Sequence, residues 1–203
     1  MPEYLHDFGS LLEPVLAKIS LELSIEQVSS LSRHYELLQR WNGRVNLTSI
    51  RAPQEIVERH FGEALYLAKV IGEAKNLVDV GSGAGFPGLP FAVARPDVRV
   101  TLVESIGKKA TFLREVSRPL PNVSVYHGRV EDLQDSFEWL TMRAVAVRGV
   151  FPHLLRISKK LALLVSRGEV AGLEDERIVC EGTVGVPWGE QRVIWIGRAS
   201  HRA

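Results

Sequence analysis

Apolar residues recur at helical spacing through the first third of the chain. Leu11, Leu12, Val15, Leu16 and Ile19 lie three and four residues apart and define one stripe of a helix over residues 8–20. Ser24, with Gln27 three positions on, has the form of a capping box, and Val28, Leu31, Tyr35, Leu38 and Trp41 carry a second stripe, predicting a helix to about Arg40. After Pro53, Ile56, Val57, His60, Phe61, Leu65, Leu67 and Ala68 resume the spacing and predict a third helix over residues 54–71, ending at Gly72.

The period changes at Asn76. Leu77-Val78-Asp79-Val80 is a short buried-strand run followed at once by glycines. Further strands are expected over residues 98–103, 123–126, 140–145 and 161–165, with helices over 89–94, 108–116 and 151–160 between them. Such alternation implies a parallel sheet with helical crossovers. Residues 178–184 and 192–196 read as two closing strands on either side of a Gly/Pro turn, which suggests an antiparallel edge. The resulting division is a helical appendage over residues 1–72 packed on an α/β core over 73–203.

The chain's 203 residues, with 25 Lys+Arg against 24 Asp+Glu, are enough to bury a core without staples. Cys180 is the only cysteine, so an intramolecular disulfide and a cysteine-based metal cluster are both excluded. The acidic start of the chain and the lack of a long apolar run argue for a cytoplasmic protein without a membrane span. With a net charge of +1, nucleic-acid binding has to come from a local basic patch.

The informative segment is Val78-Asp79-Val80-Gly81-Ser82-Gly83-Ala84-Gly85-Phe86-Pro87-Gly88. Glycines directly after a buried strand let the chain turn tightly and let a ligand approach the backbone. Gly83-x-Gly85-x-x-Gly88 formally matches a dinucleotide fingerprint. Three details favour a nucleoside without a pyrophosphate: Gly81 turns the chain before that match begins, Asp79 places an acid beside the loop, and Pro87 and Pro90 flank the third glycine. A cationic ligand such as S-adenosylmethionine suits that acid. Glu104 ends the next strand, 23 residues beyond Gly81, where a carboxylate can accept hydrogen bonds from both ribose hydroxyls. NAD would use the same acid, so Glu104 alone leaves both ligands open.

Together these residues resemble a known family, the bacterial guanine-N7 methyltransferases of small-subunit ribosomal RNA, also called glucose-inhibited division protein B. The resemblance rests on Trp41-Asn42, Asn46-Leu47-Thr48, Arg59-His60, the loop with its Phe86-Pro87-Gly88-Leu89-Pro90 tail, Thr101 to Ser105 with Lys108-Lys109 and Phe112-Leu113, Gly128-Arg129-Val130-Glu131, and Arg143-Ala144. It implies a class I, Rossmann-like S-adenosylmethionine-dependent methyltransferase fold, with a mostly parallel seven-stranded sheet, an antiparallel edge strand and N-terminal helices. The implied acceptor is a guanine in the 530 loop of 16S ribosomal RNA within the small subunit. The family's cofactor contacts fall on Gly81, Phe86, Val130, Glu131 and Arg143, with Glu104 at the ribose and Ser82, Gly83 and Gly85 completing the loop. Gly62-Glu63-Ala64 departs from the family's usual Asp-Ser pair, Met142 from a usual Ser, and Arg167-Gly168 from a usual Lys-Gly.

Guanine N7 carries no proton at neutral pH, so no general base is expected and Arg143 is the first candidate for positioning at the reacting centre. Arg44, Asn46, Lys108, Lys109 and Arg167 are the preferred RNA contacts, with Arg40, Arg51, Arg59, Arg114, Arg118, Arg148, Arg156, Lys159 and Lys160 as further cations. Six histidines show no metal-ligand spacing, so no metal is expected, and His60 reads as bonding the adjacent loop. Trp41 reads mainly as packing, Cys180 as a buried inert strand residue, and Ser82 lacks the order of a nucleophile elbow. A monomer is expected. Alternatives are a methyltransferase for another RNA or a small molecule, an NAD-dependent oxidoreductase, and a non-catalytic ribosome-assembly factor.

Overall fold

The computed structural model describes residues 3–143 and 151–200. Ala144, the expected strand end at Val145, Arg148 and His201 lie outside them. The helices are α1 (Glu3–Ile19), α2 (Ile25–Val45), α3 (Pro53–Ile56), α4 (Glu63–Val70), α5 (Gly88–Ala94), α6 (Gly107–Ser117), α7 (Phe151–Ile157) and α8 (Arg167–Val170). The strands are β1 (Asn76–Val80), β2 (Arg99–Glu104), β3 (Val123–His127), β4 (Phe137–Arg143), β5 (Ser158–Ser166), β6 (Ile178–Gly185) and β7 (Arg192–Ala199).

The seven strands form one sheet in the order β3-β2-β1-β4-β5-β7-β6. β1 to β5 are mutually parallel, and β7 enters antiparallel between β5 and β6, so the two closing strands make the antiparallel edge pair. Successive residues of β1 and β5 feed two apolar clusters, one on each side of the sheet. Leu77, Ala162 and Leu164 join the first, and Val78, Val80, Leu161, Leu163 and Val165 the second. Burial on both faces explains why these strands read as unbroken apolar runs.

The first cluster is continuous with the N-terminal helices. Phe8, Leu12, Val15 and Ile19 of α1 and Leu31 and Leu38 of α2 are buried in it beside Phe91 and Phe112. Ser24 caps α2 as its sequence indicates, its hydroxyl accepting from Gln27 N while the Gln27 side chain accepts from Ser24 N. The helix runs past Arg40 to Val45, where Asn46 takes a left-handed cap at φ 50° and its N–H donates to Asn42 O.

Two expectations need correction. The third helix is not a regular α-helix: Val57–Gly62 is a π-helical segment between α3 and α4, and Glu63 N–H bonds to Glu58 O five residues back. Residues 60–65 are all buried, which a one-faced α-helix cannot achieve. The helix expected to reach Lys160 stops at Ile157, because Ser158, Lys160 and the residues beyond pair with β4, and the Lys160 ammonium sits 5.3 Å from the Trp139 ring centroid.

Phe61, the π segment's fully buried aromatic, has its ring centre 5.0 Å from Phe8, 5.1 Å from Phe86 and 5.2 Å from His34. Phe61→Ala is expected to cost about 3–5 kcal/mol in denaturant unfolding. A loss below about 1 kcal/mol would show that the helices do not depend on this junction.

Candidate active site

Strand order reverses between β1 and β4, and the carboxyl ends of β1, β2 and β4 open there into a cleft of about 480 Å³. This is where open α/β sheets bind ligands. Gly81, Ser82, Gly83 and Phe86 of the loop form one wall, with Glu104 from the end of β2 and Arg143 from the end of β4. Residues 47–50, Arg59 and His60 face them from the N-terminal part, and Lys109 and Arg192 complete the rim.

The loop is held by two carboxylates. Glu104, nearly fully buried, accepts from Gly83 N at 2.9 Å and from Ile106 N at 2.8 Å, which fixes both oxygens and leaves lone pairs free. Asp79 lies on the α5 side of β1 and accepts from Gly88 N at 3.0 Å. The Asp79 carboxylate therefore occupies the first N–H of α5, the group a pyrophosphate would need. Burial pushes its carboxyl up to about 7, so at neutral pH it occupies this donor while carrying only part of a full negative charge.

The glycines divide by cause. Gly83, at φ +57°, has only Gly81 O at 3.7 Å near the position of an added Cβ, so a side chain there enters open cleft. At Gly85, which sits at φ +88°, a Cβ would run into Leu89 of α5, whereas at Gly88 it would run into Leu102 and Asp79 of the sheet, so Gly85 serves the turn into α5 and Gly88 the packing of α5 on the sheet. Gly85 accordingly does not line the cleft.

Phe86 is sandwiched between His34 and His60, each ring centre 4.6 Å away and nearly parallel. Burial holds the His34 imidazole down at about 4, and burial with the nearby Arg143 charge holds His60 at about 2. Both rings are neutral at pH 7. His34 Nε2 donates to Ala84 O at 2.8 Å, and His60 Nε2 shares a 2.8 Å hydrogen bond with Thr48 Oγ1, so His60 does bond the adjacent loop.

Arg143 donates to Arg59 O at 2.6 Å and lies 3.9 Å from the Glu63 carboxylate. Burial lowers its guanidinium to about 10, so it remains charged at neutral pH. Arg192 donates to the same Glu63 oxygen at 3.2 Å. The cleft lining carries Arg59, Lys109, Arg143 and Arg192 against Glu104 alone, a local positive site in a nearly neutral chain.

Other expected site residues fall outside the lining. Val130 is buried and Glu131 exposed in a 3₁₀ turn tied down by Arg156, which donates to the carbonyls of Val130, Glu131 and Leu133. Arg44, Asn46 and Lys108 are exposed. Arg167 borders a separate depression with Gly185, Pro187 and Gln191. Trp41 packs edge-on against Phe112 at 5.7 Å. Cys180 is exposed rather than buried, because β6 is the sheet edge. Arg192 and Glu63 were missed as site residues. The two are far apart in the sequence, and only the fold joins β7 to the π segment.

Among the described residues no helix is long and apolar enough to cross a membrane, and no group of three or more His, Cys, Asp or Glu is placed to hold a metal ion.

The fold and cleft define the class I S-adenosylmethionine-dependent methyltransferase architecture. A methyltransferase from Aquifex aeolicus has a TM-score of 0.59 at 18% identity, over 72% of this chain and 93% of that one. Fibrillarin from Aeropyrum pernix, solved with natively bound S-adenosyl-L-methionine, has a TM-score of 0.51 at 15% identity, over 66% and 73%. The family model GidB, rRNA small subunit methyltransferase G, matches residues 27–175. Relatives named ribosomal RNA small subunit methyltransferase G are 42% identical over 71% of this chain in Chromobacterium violaceum and 41% over 70% in Clostridium botulinum, covering 71% and 64% of those proteins. The chain belongs to the rRNA small subunit methyltransferase G family.

Because the folded state favours protonated Asp79, the stability this group contributes is full below about pH 4 and is lost as pH rises through about 7. Asp79→Asn keeps an acceptor for Gly88 N–H and never ionises. Relative to the wild type it is expected to gain on the order of 2 kcal/mol between pH 5 and pH 8 in unfolding experiments. An unchanged difference would mean that Asp79 is ionised throughout.

Proposed function

We propose that this chain transfers the methyl group of S-adenosylmethionine to N7 of a guanine in the 530 loop of 16S ribosomal RNA, acting on the small ribosomal subunit. The observation that carries the reading is the convergence of Glu104, the open turn at Gly81 to Gly83, and Arg143 on one positively lined cleft. Family membership supports the ribosomal acceptor.

The residues fit the cofactor. Glu104 has acceptor capacity left for two ribose hydroxyls, Gly83 leaves room for a close backbone approach, and the α5 N–H that a pyrophosphate needs is already used by Asp79. S-adenosylmethionine supplies an electrophilic methyl on a sulfonium. Gly128 N donates to Glu104 O, so the Val130–Asp132 turn continues from the ribose side, and we assign Val130 and Glu131 to the adenine. Ser82 and Gly85 support the loop from within, Ser82 through its hydroxyl on Asp79 O.

Guanine N7 needs no deprotonation, so the reading asks no proton transfer of the two neutral histidines. Arg143 spends one N–H on Arg59 O and keeps others for the O6 edge of the guanine. Catalysis is then positioning, a source of up to roughly 7–11 kcal/mol where reactants are held in line. Residues 1–72 act as the substrate-side appendage, since residues 47–50, Arg59 and His60 wall the cleft opposite the glycine loop of the 73–203 core. We assign Lys108 and Lys109, Arg44 and Asn46, and Arg167, whose backbone N–H donates to Gln191 O beside Arg192, to RNA contacts outside the cofactor pocket. One chain supplies the whole cleft, so a cytoplasmic monomer is the proposed working unit.

Labelled methyl transfer to subunits lacking the modification, with the nucleoside mapped by mass spectrometry, is expected to yield 7-methylguanosine in the 530 loop. Arg143→Ala should lower kcat/KM by about 100-fold or more. Protein-free RNA should be a much poorer acceptor, given the small net charge, and equal methylation would refute the need for a shaped subunit surface. No transfer despite cofactor binding would favour an assembly factor.

Gly83→Ala places a Cβ in the cleft at positive φ. It is expected to cost about 1–2 kcal/mol of stability and to weaken S-adenosylmethionine binding by about tenfold or more in calorimetric titration, a drop of at least 1.4 kcal/mol. Unchanged affinity would place the cofactor elsewhere.

A further inference from the structure

Glu63 sits at the end of the π segment with 1% exposure, yet its carboxylate faces two cations from different parts of the chain. One oxygen, Oε2, accepts from Arg192 at 3.2 Å and lies 3.9 Å from Arg143, so the two guanidinium nitrogens are no more than about 7 Å apart. The other oxygen, Oε1, is buried with no partner among the described residues. Arg143 closes β4 and Arg192 opens β7, and both line the cleft while Glu63 stands behind it. The preceding Gly62 is closely packed, since an added Cβ would lie 3.0 Å from both Trp188 and Val15. Trp188, in the β6–β7 connection, thus packs against the backbone beside Glu63, and the same connection delivers Arg192.

We propose that Glu63 is a positioning residue for methyl transfer, its charge holding Arg143 and Arg192 side by side at the cleft wall. A buried carboxylate offsets the repulsion of two close cations, and removing it leaves both uncompensated. Glu63 touches neither substrate nor cofactor in this role; it acts through the arginines. The inference rests on the assignment of Arg143 to the reacting centre.

The test separates charge from volume. Glu63→Gln keeps the shape and loses the charge, whereas Glu63→Asp keeps the charge and loses a methylene. With small subunits as acceptor, kcat is expected to fall about 30-fold or more in Glu63→Gln and by less than about tenfold in Glu63→Asp, as misplacement of reacting groups by about 1 Å can cost two orders of magnitude. RNA binding measured separately should not weaken in Glu63→Gln, since the cleft becomes more positive. In an Arg192→Gln background the further cost of Glu63→Gln should shrink to about threefold or less, because one of the two repelling cations is gone. Circular dichroism and thermal melts identify variants that fail to fold, and the Asp variant and the Arg192→Gln background keep the question answerable if Glu63→Gln is one of them. Gln outperforming Asp, or losses that multiply fully in the double variant, would overturn the proposal in favour of packing. Full activity in Arg143→Ala would instead remove the assignment on which it rests.

Discussion

Glu104 accepts two backbone N–H groups, one from Gly83 in the loop after the neighbouring strand and one from Ile106 two residues on, and the geometry of the cleft depends on that pair of bonds. Together with the Gly81 and Ser82 N–H groups, which both donate to Val103 O, they fix the glycine loop against the end of β2. The carboxylate can hold this place because β1 and β2 are parallel neighbours in register, with Val80 opposite Val103, which brings the loop after β1 beside the last residue of β2. A charge so nearly enclosed is tolerated because its oxygens are satisfied by backbone donors.

From this centre the remaining site follows outward. Asp79 ties the start of α5 to β1, the π segment turns His60 and Phe61 inward to meet Phe86, and Glu63 draws Arg143 and Arg192 to one carboxylate. The last two of these sets of contacts cross between the N-terminal helices and the α/β part of the chain. The helices are therefore part of the cleft, supplying its wall through residues 47–50, Arg59 and His60.

Much of this was legible in the sequence for physical reasons. A strand buried on both faces announces itself as an apolar run, a capping box is local, and an acid at the end of the second strand has a fixed relation to a glycine turn after the first. What escaped was non-local or depended on exposure. The π segment carries apolar residues at nearly helical spacing, and nothing in that spacing shows the extra residue per turn that buries residues 60–65 together. Ser158 follows α7 without a loop because β4 pairing captures it, a contact set by residues twenty positions away. Cys180 was expected inside, yet an edge strand exposes it. Arg192 and Glu63 are 129 residues apart and meet only once β7 is inserted beside β5.

The central claim is that a Glu104-centred cleft holds a nucleoside cofactor without a pyrophosphate. Calorimetric titration of the wild type and Glu104→Gln with S-adenosylmethionine and with NAD tests it directly. S-adenosylmethionine is expected to bind the wild type, NAD to bind far more weakly, and Glu104→Gln to lose about 10- to 100-fold in affinity, the worth of hydrogen bonds to a charged acceptor. Preference for NAD, or undiminished binding in Glu104→Gln, would contradict it.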